Sequence, residues 1–412
     1  MKCLKLFVYE HVAGGGYAEH KIPPSNLSEG YGMLTTLISD LKAAGHIVKT
    51  SLDSRIMKFN PSLEADEIVP VSSLRKLKKT LEKISHSVDA AHIIAPESNG
   101  VLPKLVEIVE AVGNQSLNCS PDSIRITSNK IVLHETLKRL RLPAAETIAV
   151  DIREGIKPIG RVASELGFPL VFKPIDGVSC SGLSLVRDKN QVSLAIDRVR
   201  KESPSRYIIA QRLIKGTAAS VSLISTGEDA LPLTLNRQRV TLASPRFNSC
   251  YHGGAVPLNH PLEDKALRAA RKAVESLRGL KGYVGVDMVL THDRPIIIEV
   301  NPRLTTSYIG LRNVVNFNPA QAMVRSVLER KLPEDVQVSG YSIFSKIDVS
   351  APSYESLQRT YRLKGLVSPP FPVGNKEVAY GLIAASSARL SEARARLYRT
   401  RRCLLDILGR GR

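Results

Sequence analysis

Two apolar runs near the middle of the chain, "GYVGVDMVL" (282–290) and "RPIIIEVNPR" (294–303), carry acids and an amide where a plain core strand would carry none. In the first, Val284, Val286, Met288 and Leu290 alternate with Gly285, Asp287 and Val289. In the second, Ile297, Glu299, Asn301 and Arg303 alternate with Ile296, Ile298 and Val300. A period of two is that of a β-strand, whose successive side chains face opposite ways. A turn centred near Asp293 sets Asp287 opposite Glu299, with Asn301 next on the same face. Like charges directly opposed destabilise a sheet unless a cation sits between them. Oxygen donors from Asp, Glu and Asn suit Mg²⁺ or Mn²⁺, with phosphate oxygens completing the shell. A surface hairpin with an ordinary acidic pair is the plainer alternative, and the apolar flanks argue against it. Asp293 itself is expected to be only a turn residue.

A magnesium site of this kind calls for phosphate-handling groups upstream. The loop "DGVSCSG" (176–182) offers Gly177, Ser179, Ser181 and Gly182, whose backbone N–H groups can close over phosphates. Gly/Ser turns between strands are common, so the loop alone says little. Lys173 strengthens it, because a lysine inside "PLVFKP" either snorkels or neutralises an anion. Lys130, at the start of a helical pattern, adds a second cation. No GxxxxGK[ST] motif is present, so this is not a Walker loop.

These groups need a scaffold, and the patterning supplies one. Residues 4–9 read as a strand rather than a signal peptide, since Glu10 and His11 interrupt the apolar run. A Gly/Pro-rich loop follows, then a helix with Ser28 as N-cap and Gly45 as its stop. "HIVKTSLD" and "AAHIIAPES" are strands, the second followed by a helix over roughly 99–112. Alternation of β and α over about 115 residues predicts an α/β unit with a parallel sheet. From 127 onward come a helix with a Pro-marked break, two strands around the Gly/Ser loop, and the strand–turn–strand "RYIIAQRLIKGTAASVSLIS". A helix with Leu267, Ala270, Val274 and Leu277 on one face leads into the hairpin. Residues 335–385 mix short strands with "SPPFPVGNKEVAYG".

At 412 residues, two or three domains are expected. No apolar run is long enough to span a bilayer, which argues against membrane association. Five scattered cysteines without a CxxC suggest neither a disulfide framework nor a zinc site, and fit a reducing cytoplasm. Of the net charge of +19, residues 389–412, with eight arginines against Glu392 and Asp406, contribute +6 and the rest of the chain +13. Clustered cations bind nucleic acid. Here Leu390, Ala393, Leu397, Leu404 and Leu408 recur near helical spacing, and the chain has no Trp. A docked amphipathic helix with a solvated basic face is therefore preferred over a nucleic-acid surface.

Taken together, "SNK…FPLVFKP…GVSCSG", "GVDMVL" and "PIIIEVNPR" resemble the ATP-grasp superfamily of carboxylate–amine ligases, over most of the chain. The resemblance implies an α/β fold with an N-terminal parallel-sheet domain (1–118) and an ATP-grasp domain (119–330). The latter divides into an ATP lid (about 145–215) and a metal-binding part (about 216–330), with a C-terminal extension (331–412) of short strands and the basic helix. It implies ATP held by Lys130, Lys173, the 177–182 loop and the hinge Gln211, Arg212 and Leu213. Mg²⁺ (or Mn²⁺) would sit on Asp287, Glu299 and Asn301. Lys173 and Arg303 would be the catalytic cations, stabilising the phosphoryl group and the tetrahedral intermediate that follows. Two departures stand out: Gln211 replaces an acid in the adenine-bracketing strand, and "GTAAS" offers no acid for ribose.

Within the superfamily, "YEHVAGGG", "LSEGYGML", "GTAASVSLI" and "NPRLTTSY" look most like enzymes joining glutamate to tyramine in methanofuran biosynthesis. That resemblance implies small-molecule acid and amine substrates, an acyl-phosphate intermediate and, from the family, a homodimer. Glu10 or Glu29 would greet an ammonium group, Arg237 or Arg239 a carboxylate, and Asn236, Gln238, Thr305 and Thr306 would line the pocket. Structural roles explain each of these residues equally well; Glu29, for example, suits a helix first turn. Two other readings stay open: a ligase joining two different amino acids, and a non-catalytic nucleotide-binding protein whose basic face engages nucleic acid.

Overall fold

In the computed structural model, which describes residues 3–177, 180–374 and 377–409, three sheets carry the chain. The first is five-stranded and parallel: β1 (Lys5–Glu10), β2 (Ile47–Asp53), β3 (Glu67–Val71), β4 (Ala90–Ile94) and β5 (Gln115–Ser116), in the order β3-β2-β1-β4-β5. Strand β1 shows why it is central. Leu6 and Val8 pack into one core, Phe7 and Tyr9 into another, and all four are fully buried. Both faces of such a sheet are covered, so its strands read as unbroken apolar runs. The expected helix spans Pro24–Ala43 and stops at Gly45 (φ 83) as expected, but Ser28 does not cap it. Proline at the first helical position, pre-set in φ, starts the helix earlier, and Ser28 donates to the Ser25 carbonyl from inside it.

A four-stranded antiparallel sheet follows: β6 (Thr147–Asp151), β7 (Leu170–Pro174), β8 (Ser184–Val186) and β9 (Tyr207–Arg212), ordered β6-β9-β7-β8. Its own core of Ile159, Ala163, Phe172, Val192, Ile196 and Ile208 makes it a separate layer. The eight remaining strands form one antiparallel sheet in the order β14-β13-β10-β11-β12-β15-β17-β16. They are β10 (Thr217–Thr226), β11 (Ala230–Thr241), β12 (Cys250–Val256), β13 (Lys281–Leu290), β14 (Pro295–Asn301), β15 (Tyr341–Ser350), β16 (Leu366–Ser368) and β17 (Val378–Ser387). The stretch 207–226 is strand, turn and strand as expected, yet β9 and β10 belong to different sheets. Strands β15 and β17 are ten residues each, longer than the sequence suggested, and they continue the central sheet through β12.

The basic segment forms the helix Leu390–Gly409. Ala393 is buried, and Leu404, with the partly buried Leu397 and Leu408, packs with Ile347, Val349, Ala379 and Ile383 of β15 and β17. Arg394, Arg399, Arg401 and Arg402 face solvent, while Arg410 and Arg412 lie outside the described residues. Among the described residues no helix is long and apolar enough to cross a membrane. Removing the Leu404 side chain leaves a cavity under this helix. Leu404→Ala is expected to cost about 2–5 kcal/mol of stability in denaturant unfolding, against less than about 0.5 kcal/mol for Arg402→Ala.

Candidate active site

The hairpin β13–β14 brings Asp287 directly opposite Glu299, in the register expected from the sequence, with Asn301 opposite Gly285. Alternation along β14 fails at one point. The pairing shifts between Asp287 and Met288, so Ile298 is left unpaired as a bulge. Ile297 therefore turns with Val300 into the core beside Val284, Val286, Met288 and Leu290. Ile298, not Ile297, accompanies Glu299. The outer edge of β14 is held by the Pro143 carbonyl, which accepts from Ile297 N at 2.8 Å.

Around the acid pair three cations converge from three different elements. Asn129 caps the helix Lys130–Arg139, accepting from Ile131 N and Val132 N, and so fixes Lys130 at its first turn. Lys130 Nζ lies 3.6 Å from Glu299 and donates to the Gly177 carbonyl at 2.8 Å. Lys173, on β7, donates to Gln211 Oε1 on the neighbouring strand at 3.1 Å, and Gln211 donates in turn to Thr147 Oγ1 at 2.8 Å. Arg303, just past β14, donates through Nε to Glu97 at 2.9 Å. Asp287 accepts from Gln238 Nε2 at 2.9 Å.

Electrostatics follow from this crowding. Burial, and then Glu299 across the ladder, push the Asp287 carboxyl up to about 7, against hydrogen bonds from Asn301 and Gln238. Burial, and then Lys130, push the Lys173 ammonium down to about 8, opposed by Glu299 and Asp287. Arg303 is held above its ordinary value: burial works the other way, and Glu97, Glu299 and Asp287 outweigh it. The donor set of two carboxylates and one amide, beside an acid that burial penalises, fits a hard divalent cation. Among the described residues no cluster of three or more His, Cys, Asp or Glu side chains offers another metal site.

The described residues at either end of the 176–182 loop are held by contacts with neighbouring elements. Gly177 is held through its carbonyl by Lys130, Ser181 donates to Glu202 at 2.8 Å, and Gly182 adopts φ 67, which favours glycine. Ser179 lies outside the described residues. Cys180 is half-buried; burial and then Glu29 push its thiol up to about 12. In the hinge, Leu213 N already donates to the Pro169 carbonyl at 3.3 Å, and Arg212 is exposed, its guanidinium spent on the Leu166 carbonyl and Glu146. Thr147, Gln211, Lys130 and Ile298 enclose a cavity of only about 10 Å³.

The remaining sequence candidates fall into two groups. Gln238 joins the acid cluster through Asp287. Glu29 accepts from Lys346 of β15 at 2.6 Å and from Thr306 at 3.3 Å, at the seam between the Pro24–Ala43 helix and the large sheet. Glu10, at the end of β1, is 3% exposed and accepts from Ala13 N at 2.6 Å. The others are spent on structure. Asn236 is fully buried among Ser220, Ser222 and Thr234, and Thr305 contacts Tyr283 OH at 3.1 Å and fills the space over Gly285. Arg237 is exposed, and Arg239 donates to the His252 carbonyl and to Ser345. Sequence reasoning passed over Glu97 and Lys346. A signal for Glu97 existed, since it follows directly on β4, and ligands gather at the carboxyl ends of parallel strands.

Two family profiles match this chain: the ATP-grasp domain over residues 127–307, and the pre ATP-grasp 3 domain over residues 47–124. With the three-sheet architecture, they make the chain a member of the ATP-grasp superfamily and an ATP-grasp ligase. Enzymes of this class use ATP and divalent metal ions. More particularly, the chain is similar to the tyramine–L-glutamate ligase of Methanocaldococcus jannaschii, 29% identical over 345 residues, covering 82% of this chain and 94% of that one. The same ligase from Methanocaldococcus fervens is 28% identical over 341 residues, covering 82% and 99%. The crystal structure of an L-amino acid ligase from Bacillus licheniformis shares the fold, with a TM-score of 0.68 over 97% of each chain at 15% identity.

Glu10 provides a pH test of this buried charge network. Burial, against hydrogen bonds from Ala13 and Val12 and the pull of Arg303, raises its carboxyl to about 7 from 4.5. Below about pH 4.5 both folded and unfolded chains hold the proton, and Glu10→Gln should change stability little. As pH rises to 7 the unfolded chain releases its proton first, so the wild type loses stability that the variant keeps. Glu10→Gln is expected to gain up to about 3 kcal/mol over wild type by pH 7.5, read from urea midpoints across pH.

Proposed function

We propose that this protein is an ATP- and magnesium-dependent ligase that joins the side-chain carboxylate of L-glutamate to an aromatic amine such as tyramine or tyrosine, as in methanofuran-type cofactor biosynthesis. The observation that carries the reading is the opposed pair Asp287/Glu299 with Asn301 beside it, ringed by Lys130, Lys173 and Arg303. Its substrates are suggested by the similarity to tyramine–L-glutamate ligases over 82% of the chain.

In this reading Asp287, Glu299 and Asn301 hold the metal, which supplies charge neutralisation for the phosphates of ATP. Lys130 and Lys173 contact phosphate oxygens, and backbone N–H groups of the 177–182 loop close over them. The substrate carboxylate attacks the γ-phosphorus and ADP leaves, giving an acyl phosphate. The amine then attacks the acyl carbon, inorganic phosphate leaves and the nitrogen loses its extra proton, forming the amide. Arg303 faces the charge that gathers on the transferring phosphoryl and on the tetrahedral oxygen. Because Glu97 pins it, no reorganisation is needed as that charge develops. Lys173, with its ammonium already lowered by burial, is a strong donor to phosphate while still charged at neutral pH. No protein nucleophile takes part.

The reaction is checked by ADP release with ATP, Mg²⁺ and L-glutamate, with and without tyramine or tyrosine, and by mass spectrometry of the product. Amine-dependent ADP and an amide at the condensation mass are expected, with turnover in Asp287→Asn lower by about 10²-fold or more. Absence of the amide with either amine, while other acid–amine pairs turn over, would reassign the substrates.

A further inference from the structure

Glu97 pairs with Arg303 through one oxygen only. Its second oxygen, Oε2, is buried without a hydrogen-bond partner, although the residue is 5% exposed. A carboxylate oxygen withdrawn from water is costly unless a donor reaches it. Glu97 also lines a cavity of about 340 Å³, bounded by Asn99, Pro103, Ser128, Asp176 and Pro204. That cavity opens between the end of β4, the helix Pro121–Ser128 and the segment entering the phosphate loop. Asp176 ties two of these walls together, accepting from Asn99 N at 2.9 Å and from Ser203 at 3.3 Å.

We propose that this cavity is the amine subsite, taking a primary ammonium on a compact aromatic body, with the Glu97 carboxylate as its anchor once a small turn of the side chain brings the shielded Oε2 to the cavity wall. The inference rests on the ligase reading above for its place in the reaction. Charge selects the occupant. Glu97 and Asp176 are both acids, while the one cation on the cavity's rim among the described residues, Arg125, is already paired with Glu107 and Asp122. A dicarboxylate donor would be repelled and an ammonium attracted. Shape agrees, since Pro103, Ile175 and Pro204 give apolar walls above the carboxylate and suit a flat ring. Position agrees too. Glu97 contacts Arg303, which is coupled to Asp287 and Glu299, so an amine seated on Glu97 lies next to the acid cluster where the acyl phosphate would form.

Equilibrium dialysis of tyramine and of 4-ethylphenol, which has the same ring but no ammonium, tests the subsite directly on the full chain. Wild type should prefer tyramine by about tenfold or more, and Glu97→Gln should erase that preference. Ser128→Phe, which fills the cavity without touching Glu97, should weaken both ligands. The assignment is overturned if wild type does not bind tyramine, if both variants bind it as wild type does, or if both instead raise the half-saturating L-glutamate. Glutamyl hydroxamate formation from ATP, Mg²⁺, L-glutamate and hydroxylamine reads the proposed reaction without any amine. Its failure in wild type would sink that reaction, while dialysis would still decide the cavity.

Discussion

Two carboxylates opposed across a buried ladder, Asp287 and Glu299, are the constraint around which the rest of the site is arranged. A sheet does not tolerate such a pair by itself, and Asp287 is pushed up to about 7, first by burial and then by Glu299. What makes it tolerable is positive charge brought from elsewhere: a helix start (Lys130), a strand of the second sheet (Lys173) and the segment after β14 (Arg303). These cations in turn repel one another: burial, and then Lys130, push Lys173 down to about 8. Neither set is comfortable alone. Each is retained because the other is present, and the sheets that supply them are thereby held in one relative position.

The same logic extends outward through ion pairs that cross between the parallel sheet and the large antiparallel one. Glu97 reaches Arg303, Glu29 reaches Lys346, and Asp40 on the same helix as Glu29 holds Arg312 and Tyr308. Buried pairs of this kind add little net stability, because desolvation consumes most of the Coulombic gain. They do penalise any sliding that would leave one charge unpaired. The net effect is alignment. Both Glu10 and the segment carrying Glu97 lie at the carboxyl ends of adjacent parallel strands, facing the acid cluster on the hairpin.

How much of this could be read from the chain depends on the range of each interaction. Local signals carried part of the way: the period-two runs of β13 and β14 gave the hairpin and a turn near Asp293, but the turn spans 291–294, and it is the one-residue bulge at Ile298 that brings Glu299 opposite Asp287. The bulge at Ile298 was not legible, because it is decided by which partner each residue finds rather than by side-chain pattern. Ser28 was misplaced for a local reason, since a proline four residues upstream outcompeted the hydroxyl for the helix start. Glu97 escaped notice because its meaning lies in Arg303, more than two hundred residues away. Gln238 and Asn236 sit two residues apart on β11, yet one joins Asp287 and the other is saturated by serine and threonine hydroxyls. No sequence pattern separates those outcomes.

Lys130 shows how the parts would work as one in the proposed reaction. It serves two partners at once, Glu299 at 3.6 Å and the Gly177 carbonyl at 2.8 Å. A small cavity beside it is lined by Thr147, Gln211 and Ile298, between the sheet of β6–β9 and the hairpin. A phosphate entering there competes for the same ammonium, and whatever it takes from Glu299 must be replaced by positive charge. A divalent cation supplies that replacement, and a phosphate oxygen supplies the acceptor that the ammonium gives up at Gly177. Nucleotide without metal therefore strips Glu299 of its partner, and metal without nucleotide crowds a second cation against Lys130. In the proposed reaction each alone would meet an electrostatic penalty that the two together remove, which would favour their entry as a pair.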